Sequence, residues 1–484
     1  MSRVNLTGGS YVARSLSVAA QRCLNLYPEP LPTAEGEPVQ FAHFLTPGLK
    51  VQATGSGVSR CAYQTTQGDA LFVLGPNVYL MNATGGLSVI GTISDGYGQV
   101  RMCDNGTTLF IVDGAPSGGW YCSLPSKSGE TGYGTLIQIS DDAFYGSPTI
   151  AILDTFFLFV NPDTTNWYTS AAQFADEATT PFDSLYVASD TTSLTTLSAI
   201  EVVGQTIWIF GRSQIEFWYD AGASDFPFAR IPGVTLEVGC LSPYSIAKVP
   251  TSAAAPNGGI MWLGIDKGGM SRVYFGEGNV GKPVSTFAVD GALQAMGDLS
   301  GAIGNVYQQA GHIFYVLTIP GALSSWVYDV SCDLWHERCS LAGDTESQIR
   351  PLNWTAAYGR IWGADHTNGN IYEIAIEALD DAGSPIKRQR AFPHLVPNGN
   401  RAIHRRLMLD MQNGRFGSVH VDWSDDRGAT FNIGCDLTIG SSGNSWPTLW
   451  RLGMARDRIY RLTWAANIRT ALMGAFIDVE PVAS

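Results

Sequence analysis

The sequence predicts an all-β protein, a β-propeller of six or seven blades followed by a smaller β-sandwich platform. Three observations predict it. The 54 Gly and 24 Pro accompany 11% aromatic but only 15% charged residues, a balance that suits turns and pleated strands better than helices. A strand–turn–strand pattern then recurs in units of roughly 40–50 residues, the spacing of propeller blades. Finally, the stretch ALDDAGSP at 378–385 marks a boundary, with a second set of strands beyond it.

The clearest unit spans 207–233. Ile207-Trp208-Ile209-Phe210 is a short apolar run, Gly211-Arg212-Ser213 a turn, and 214–220 alternates Ile215, Phe217 and Tyr219 against Glu216, Trp218 and Asp220. Pro227, Pro232 and Gly233 then predict a loop that cannot extend the ladder.

In chain order, residues 1–56 read as an irregular segment packing on the platform. Pro28, Pro30, Pro32 and Pro38 exclude a long helix or a central strand there, leaving 41–44 as one short strand. The propeller is expected over 57–376. Its first three units hold strands at 62–63, 70–74, 78–81 and 88–93; at 99–102, 109–112, 120–121 and 135–139; and at 149–152, 156–160, 167–168 and 184–187. The unit at 207–220, preceded by 199–203, is the fourth. A fifth has 245–249, 259–264 and 271–275, and a sixth 302–306, 313–318 and 325–328. The seventh is shorter, at 354–357, 361–362 and 371–376 after the Asn368-Gly369-Asn370 turn. No residue motif repeats between units, so spacing alone carries the propeller. The platform, 377–484, is expected to hold strands at 405–411, 418–424, 430–433, 459–464 and 472–479.

The net charge of −14 is uneven: residues 377–484 hold 13 Lys+Arg against 11 Asp+Glu, the remainder 16 against 32. An acidic body argues against tight binding to phosphates, yet its wall would keep a passing DNA from sticking. The eight Cys are scattered, with no C-x2-C pair, and read as buried thiols made in a reducing compartment. No basic segment leads into an apolar run at the N-terminus, so a cytoplasmically folded protein is expected. The most apolar stretch, 149–160, contains Asp154 and is too short to span a bilayer.

Ser424-Asp425-Asp426-Arg427-Gly428-Ala429-Thr430-Phe431 fits the Asp-box pattern S-x-D-x-G-x-T-[WF]. There Ser and Asp side chains bond the turn backbone, Gly supplies a positive φ and the aromatic anchors the hairpin, a fold device rather than a catalytic site. Carboxylate pairs for glycoside hydrolysis could be drawn from Asp365, Glu373, Asp380 and Asp381, or from Asp141 and Asp142, but nothing fixes two at the needed separation. The seven His, His43, His312, His336, His366, His394, His404 and His420, are isolated. HExxH, G-x-S-x-G and Walker A motifs are lacking, and Gly118-Gly119 and Gly268-Gly269 read as hairpin turns. No catalytic residue, cofactor or metal is expected. Trp120, Trp167, Trp335 and Trp450 could bind sugars, sit at protein interfaces, or be core. Arg456, Arg458 and Arg461 flank the fourth platform strand as a solvated or intersubunit face; with Trp450 they are the candidate subunit or partner contact.

Three places in the chain resemble the tail hub, or packaged-DNA stabilisation (tail nozzle), proteins of short-tailed phages. Cys23-Leu24-Asn25-Leu26-Tyr27-Pro28, Thr46-Pro47-Gly48 and Gly57-Val58-Ser59-Arg60 resemble that family's opening. The stretch from Gly211 to Phe217, with Gly239-Cys240 and Pro243-Tyr244, resembles its middle, and Trp450-Arg451-Leu452-Gly453 with 456–461 its end. The resemblance implies a propeller plus platform, assembled in the host cytoplasm into a homohexameric ring in the virion tail. Such a ring would sit below the portal and adaptor, carry fibres, tailspikes or their adaptor outside, and retain DNA until ejection. The DNA would pass on the sixfold axis between subunits, without sequence-specific contact. A propeller enzyme acting on glycans and a monomeric propeller adaptor are the competing expectations.

Overall fold

The computed structural model describes residues 2–482 other than 4–7, 32–39, 97, 117, 127–131, 180, 190–194, 224–225, 397–398, 413–416 and 440–445. Seven antiparallel blade sheets follow one another at 59–92, 101–138, 150–189, 197–236, 238–283, 303–338 and 351–375, numbered blades 1–7 here. The inner strands of successive blades lie side by side, and that of blade 7, Pro351–Ala357, returns to that of blade 1, Ser59–Gln64, so the ring closes.

Each blade strand serves two cores. In Thr206–Gly211 of blade 4, Ile207 and Ile209 enter the cluster shared with blade 3, while Trp208 and Phe210 enter the one shared with blade 5. Alternate side chains point to opposite faces of a strand, so burial on both faces explains the continuous apolar runs. Seven such inter-blade clusters circle the ring. The one between blades 2 and 3 is mainly aromatic, built around Phe110, Phe144, Phe157, Phe159 and Tyr168. The closing one sets Phe72, Leu74 and Tyr79 against Trp362 and Ile371.

The outermost strands of blades 1–3 fall at or beside the expected positions, whereas those of later blades depart from expectation. Blade 7 takes its fourth strand, Gly48–Thr54, from the opening segment, paired antiparallel with Asn370–Ala375. The segment before it is also less irregular than its prolines suggested. Leu26–Leu31, containing Pro28 and Pro30, forms the end of a platform sheet beside Gln40–Leu45, the edge position proline tolerates; Pro32 and Pro38 lie outside the described residues. Blade 4 likewise gains Phe228–Leu236 as an edge strand, although it contains Pro232 and Gly233. Its ladder jumps from Trp218↔Arg230 to Glu216↔Thr235, so the bulge between them takes up the proline and glycine that were expected to end pairing.

In the platform, Ala402–Met411 and Leu472–Pro481 pair in one sheet, and Gly417–Ser424 and Ile459–Trp464 in the other. Leu407, Leu409, Val419, Val421, Leu462 and Ile477 are among the residues filling the space between. A strand forms at Cys435–Ile439 rather than at 430–433, because the Asp426 carboxylate holds Thr430 in the Asp-box loop. The boundary stretch is a small hairpin, Asp380–Asp381 with Ser384–Pro385, laid against Gly48–Thr54.

One sheet of nine strands runs from blade 6 into the platform. Cys23–Leu24 is its seam, parallel to Leu334–Arg338 of blade 6 and antiparallel to Arg388–Ala391 of the platform. Arg22 beside it reaches Glu337 at 2.9 Å and Glu346 at 2.8 Å, and Asn25 Nδ2 donates to the Cys339 and Lys387 carbonyls. An α-helix, Phe287–Met296, joins blades 5 and 6 and is capped by the Thr286 hydroxyl; among the described residues no helix is long and apolar enough to cross a membrane.

Candidate functional site

The Asp-box turn organises the basic end of the platform. Ser424 Oγ donates to Asp426 and accepts from Gly428 N–H, while Asp426 accepts from Thr430 N–H and hydroxyl. Those Thr430 bonds hold the Asp426 carboxyl down at about 2, and Gly428 adopts φ 91°. Arg458, the residue before the strand Ile459–Trp464, is buried and donates to the Leu452 carbonyl and to both oxygens of Asp425. Arg461 pairs with Asp422 at 2.5 Å and lies 3.7 Å over the Phe431 ring. Arg458 is therefore a buried structural support and not part of a solvated face, whereas Arg461 is partly exposed and Arg456 exposed.

Trp450 does stand at the surface, 60% exposed. Its strand, Thr448–Trp450, lies opposite Arg406, whose guanidinium sits 5.1 Å from the ring centroid and 3.6 Å from Asp478. The next pairing in the same sheet sets Met454 opposite Ile403, both exposed, and Trp446 adds a further exposed ring. Apolar side chains thus stand among ion pairs on the outer platform face, the mixture found at protein–protein contacts.

Two cavities lie at opposite ends of the inner strands. Gln64, Lys248, Gln308 and Ala356, from blades 1, 5, 6 and 7, line a cavity of about 560 Å³ at one end. Lys248 Nζ lies 2.9 Å from Glu201 of blade 4. Gln99, Tyr244, Leu323 and Gln348 line one of about 700 Å³ at the other, where Arg101 donates to the Tyr244 carbonyl at 2.8 Å. Sequence reading did not single out these residues, since only the ring brings them together.

The carboxylates weighed for glycoside chemistry are occupied locally. Asp365 accepts from Tyr372 and Thr367, Asp381 from Ser340, Asp380 from Gly383 N–H, and Asp141 from the backbone of Ala143 and Phe182; Glu373 faces Arg360 at 3.8 Å. Trp120, Trp167 and Trp335 are buried between blades and cannot present a sugar platform. Three of the histidines have acidic partners in space: His312 meets Asp329, His394 meets Asp457, and His420 meets Asp436. All eight cysteines are free thiols, and burial pushes Cys61 and Cys240 up to about 12.

Residues 2–378 match the family model described as "Bacteriophage P22 Gp10, beta-propeller". The chain belongs to this phage stabilisation family. The match takes in the opening segment and all seven blades, whereas the Asp-box turn and the Trp450 face lie beyond it. Family membership therefore rests on residues 2–378, and the platform face rests on its own geometry. No curated protein matches the chain.

Solved structures are similar only remotely. The extracellular domain of a hybrid two component system from B. thetaiotaomicron is 12% identical with a TM-score of 0.42, covering 68% of this chain; the chain spans 40% of that protein's length. The N-terminal domain of Nup159 is 7% identical at 0.40, covering 73% of this chain and 99% of its own. The WD40 domain of Toxoplasma gondii coronin is 11% identical at 0.35, covering 77% and 87%. Likenesses of this size carry no functional argument.

Proposed function

We propose that the chain is a structural component of a phage tail, six copies forming a hub that conducts and retains packaged DNA and anchors fibres or tailspikes. The observation that carries this reading is membership of the phage stabilisation family over the whole closed propeller. In this reading the DNA runs along the axis between subunits. Each propeller carries cavities of about 560 and 700 Å³ at the two ends of its inner strands, the size of small-molecule pockets, which supports a duplex running outside it. The acidic body, 16 Lys+Arg against 32 Asp+Glu over residues 1–376, supports a wall that repels the phosphate backbone and lets DNA slide. The Trp450 face is the contact to a neighbouring subunit or tail partner, and no residue turns over a substrate.

Mass in solution, measured by light scattering or native mass spectrometry at several concentrations, tests this. A hexamer, or a ring appearing on addition of a portal–adaptor assembly, is the expected result. A chain that stays monomeric beside every such partner would overturn the hub.

A further inference from the structure

Where the platform's edge strand meets blade 6, three side chains of different chemistry converge. His312 opens the strand His312–Thr318, Asp329 closes Ser325–Asp329, and Cys332 lies in the turn that follows. The hairpin register sets Phe314 opposite Asp329, so His312, two residues away on the same strand, shares the face of the carboxylate. His312 Nδ1 lies 2.6 Å from Asp329 Oδ2 and 3.8 Å from Cys332 Sγ, and one ligand atom from each residue falls within 4.8 Å of the others. His312 and Asp329 are buried, while Cys332 is partly exposed and gives the cluster a way in from solvent.

We propose that His312 Nδ1, Asp329 Oδ2 and Cys332 Sγ bind a divalent transition-metal ion, zinc before the others, with a fourth position left to water. An imidazole, a carboxylate and a thiolate suit a borderline-soft tetrahedral ion and not calcium or magnesium, which take oxygen. Tetrahedral bonds of zinc length put nitrogen and sulfur ~3.5 Å apart, close to the separation already present. The carboxylate must retreat by about 0.8 Å to reach its own zinc-bonding distance, a small side-chain rotation. An outer shell is also in place. His312 Nε2 lies 3.4 Å from Glu29 Oε2 on the strand Leu26–Leu31, where a metal-bound imidazole would donate its remaining N–H, and Asp329 Oδ1 accepts from Ser331 N–H. The ion replaces the proton shared by His312 and Asp329, so uptake releases protons and weakens as pH falls. Because Glu29 belongs to the platform and the three ligands to blade 6, occupancy would also tie the two together.

The test is a titration of the chelator-treated, dialysed full-length chain with Co²⁺ alone. The first equivalent is expected to produce thiolate-to-cobalt charge-transfer absorption that Zn²⁺ then abolishes. Cys332→Ser should remove that absorption, whereas Cys435→Ser, altering a partly exposed thiol elsewhere, should keep it. Glu29→Gln should keep it too, with Co²⁺ held roughly ten- to hundredfold more weakly. Absence of the absorption at one equivalent in the parent chain, or its survival in Cys332→Ser, would overturn the site. The parent titration decides the matter even if a variant fails to fold.

Discussion

Arg458, with a side chain only 2% exposed, grips both oxygens of Asp425 through parallel hydrogen bonds of 2.6 and 2.7 Å. Its guanidinium also lies 5.3 Å from the Trp423 ring centroid. The pair ties the Asp-box turn to the start of the next core strand. Removing the acid leaves a buried cation without its counter-charge, which is costly even though Asp425 itself is half exposed. Asp425→Ala is therefore expected to lower unfolding free energy by about 2 kcal/mol, below the range for a fully buried pair. Urea unfolding checks this, and an unchanged midpoint would show that the pair contributes nothing.

Closure of the ring rests on a close backbone approach. Gly55 N–H donates to the Gly369 carbonyl at 2.8 Å, and a Cβ on Gly369 would lie 2.0 Å from the Gly55 carbonyl oxygen. Gly369→Ala should pry the strand Gly48–Thr54 from blade 7 and cost roughly 2–4 kcal/mol. Gly359→Ala is the control, since its Cβ meets nothing and only its φ of 71° is strained, costing about 1–2 kcal/mol. If thermal melts rank the two variants in the opposite order, strand closure is not the weak point.

Acid should loosen the protein before its carboxylates protonate. Burial, reinforced by Arg458, pushes His404 down to about 4; burial with Arg338 pushes His336 to about 3, and burial with Arg390 lowers His43. Their unfolded pKa lies near ~6.5, so between there and about 4 the unfolded chain binds protons that the native state refuses. Stability is full above that window and falls as pH drops through it, by up to ~1.4 kcal/mol per pH unit for each histidine. Unfolding curves at pH 7 and 5 measure the slope, and His404→Gln should flatten it; an identical slope in the variant would remove His404 from the account.

Trp450→Ala should leave the fold intact and weaken assembly. Its ring is outside the core cluster and lies under the Arg406 guanidinium. As the aromatic anchor of a contact it would contribute roughly 2 kcal/mol, about a thirtyfold change in association constant. Sedimentation at matched concentrations reads this directly; parent-like assembly would place the contact elsewhere.

The blades were legible because their inner three strands are buried on both faces and read as apolar runs bounded by turns. The fourth strands of blades 1–3 were legible too, at 88–93, 135–139 and 184–187, but later ones were not, for particular reasons. Val280–Pro283 is mostly exposed and has no apolar pattern, Phe228–Leu236 hides a bulge behind Pro232, and Gly48–Thr54 precedes its blade by most of the chain. At the platform, charge pointed to Arg458 and Arg461, but their pairing with Asp425 and Asp422 comes from partners that only the sheet brings near. Asn368-Gly369-Asn370 was read as a turn, whereas the demand on Gly369 comes from a strand more than three hundred residues earlier. The His312 group was invisible for the same reason, its members being joined by a hairpin register and not by spacing.

The strand that closes the ring is made first and used last. Val51 pairs with Tyr372, so on a ribosome adding about 5–20 residues per second it waits roughly 15–60 s for its partner to emerge. During that interval blades can stack one on another, but the array stays open, with an unpaired strand at its leading end. Release of a shortened chain ending before blade 7 would leave that strand unmatched, and such an edge is the kind that joins other chains. Pairing of this first strand thus reports that translation has passed through blade 7, ahead of the platform.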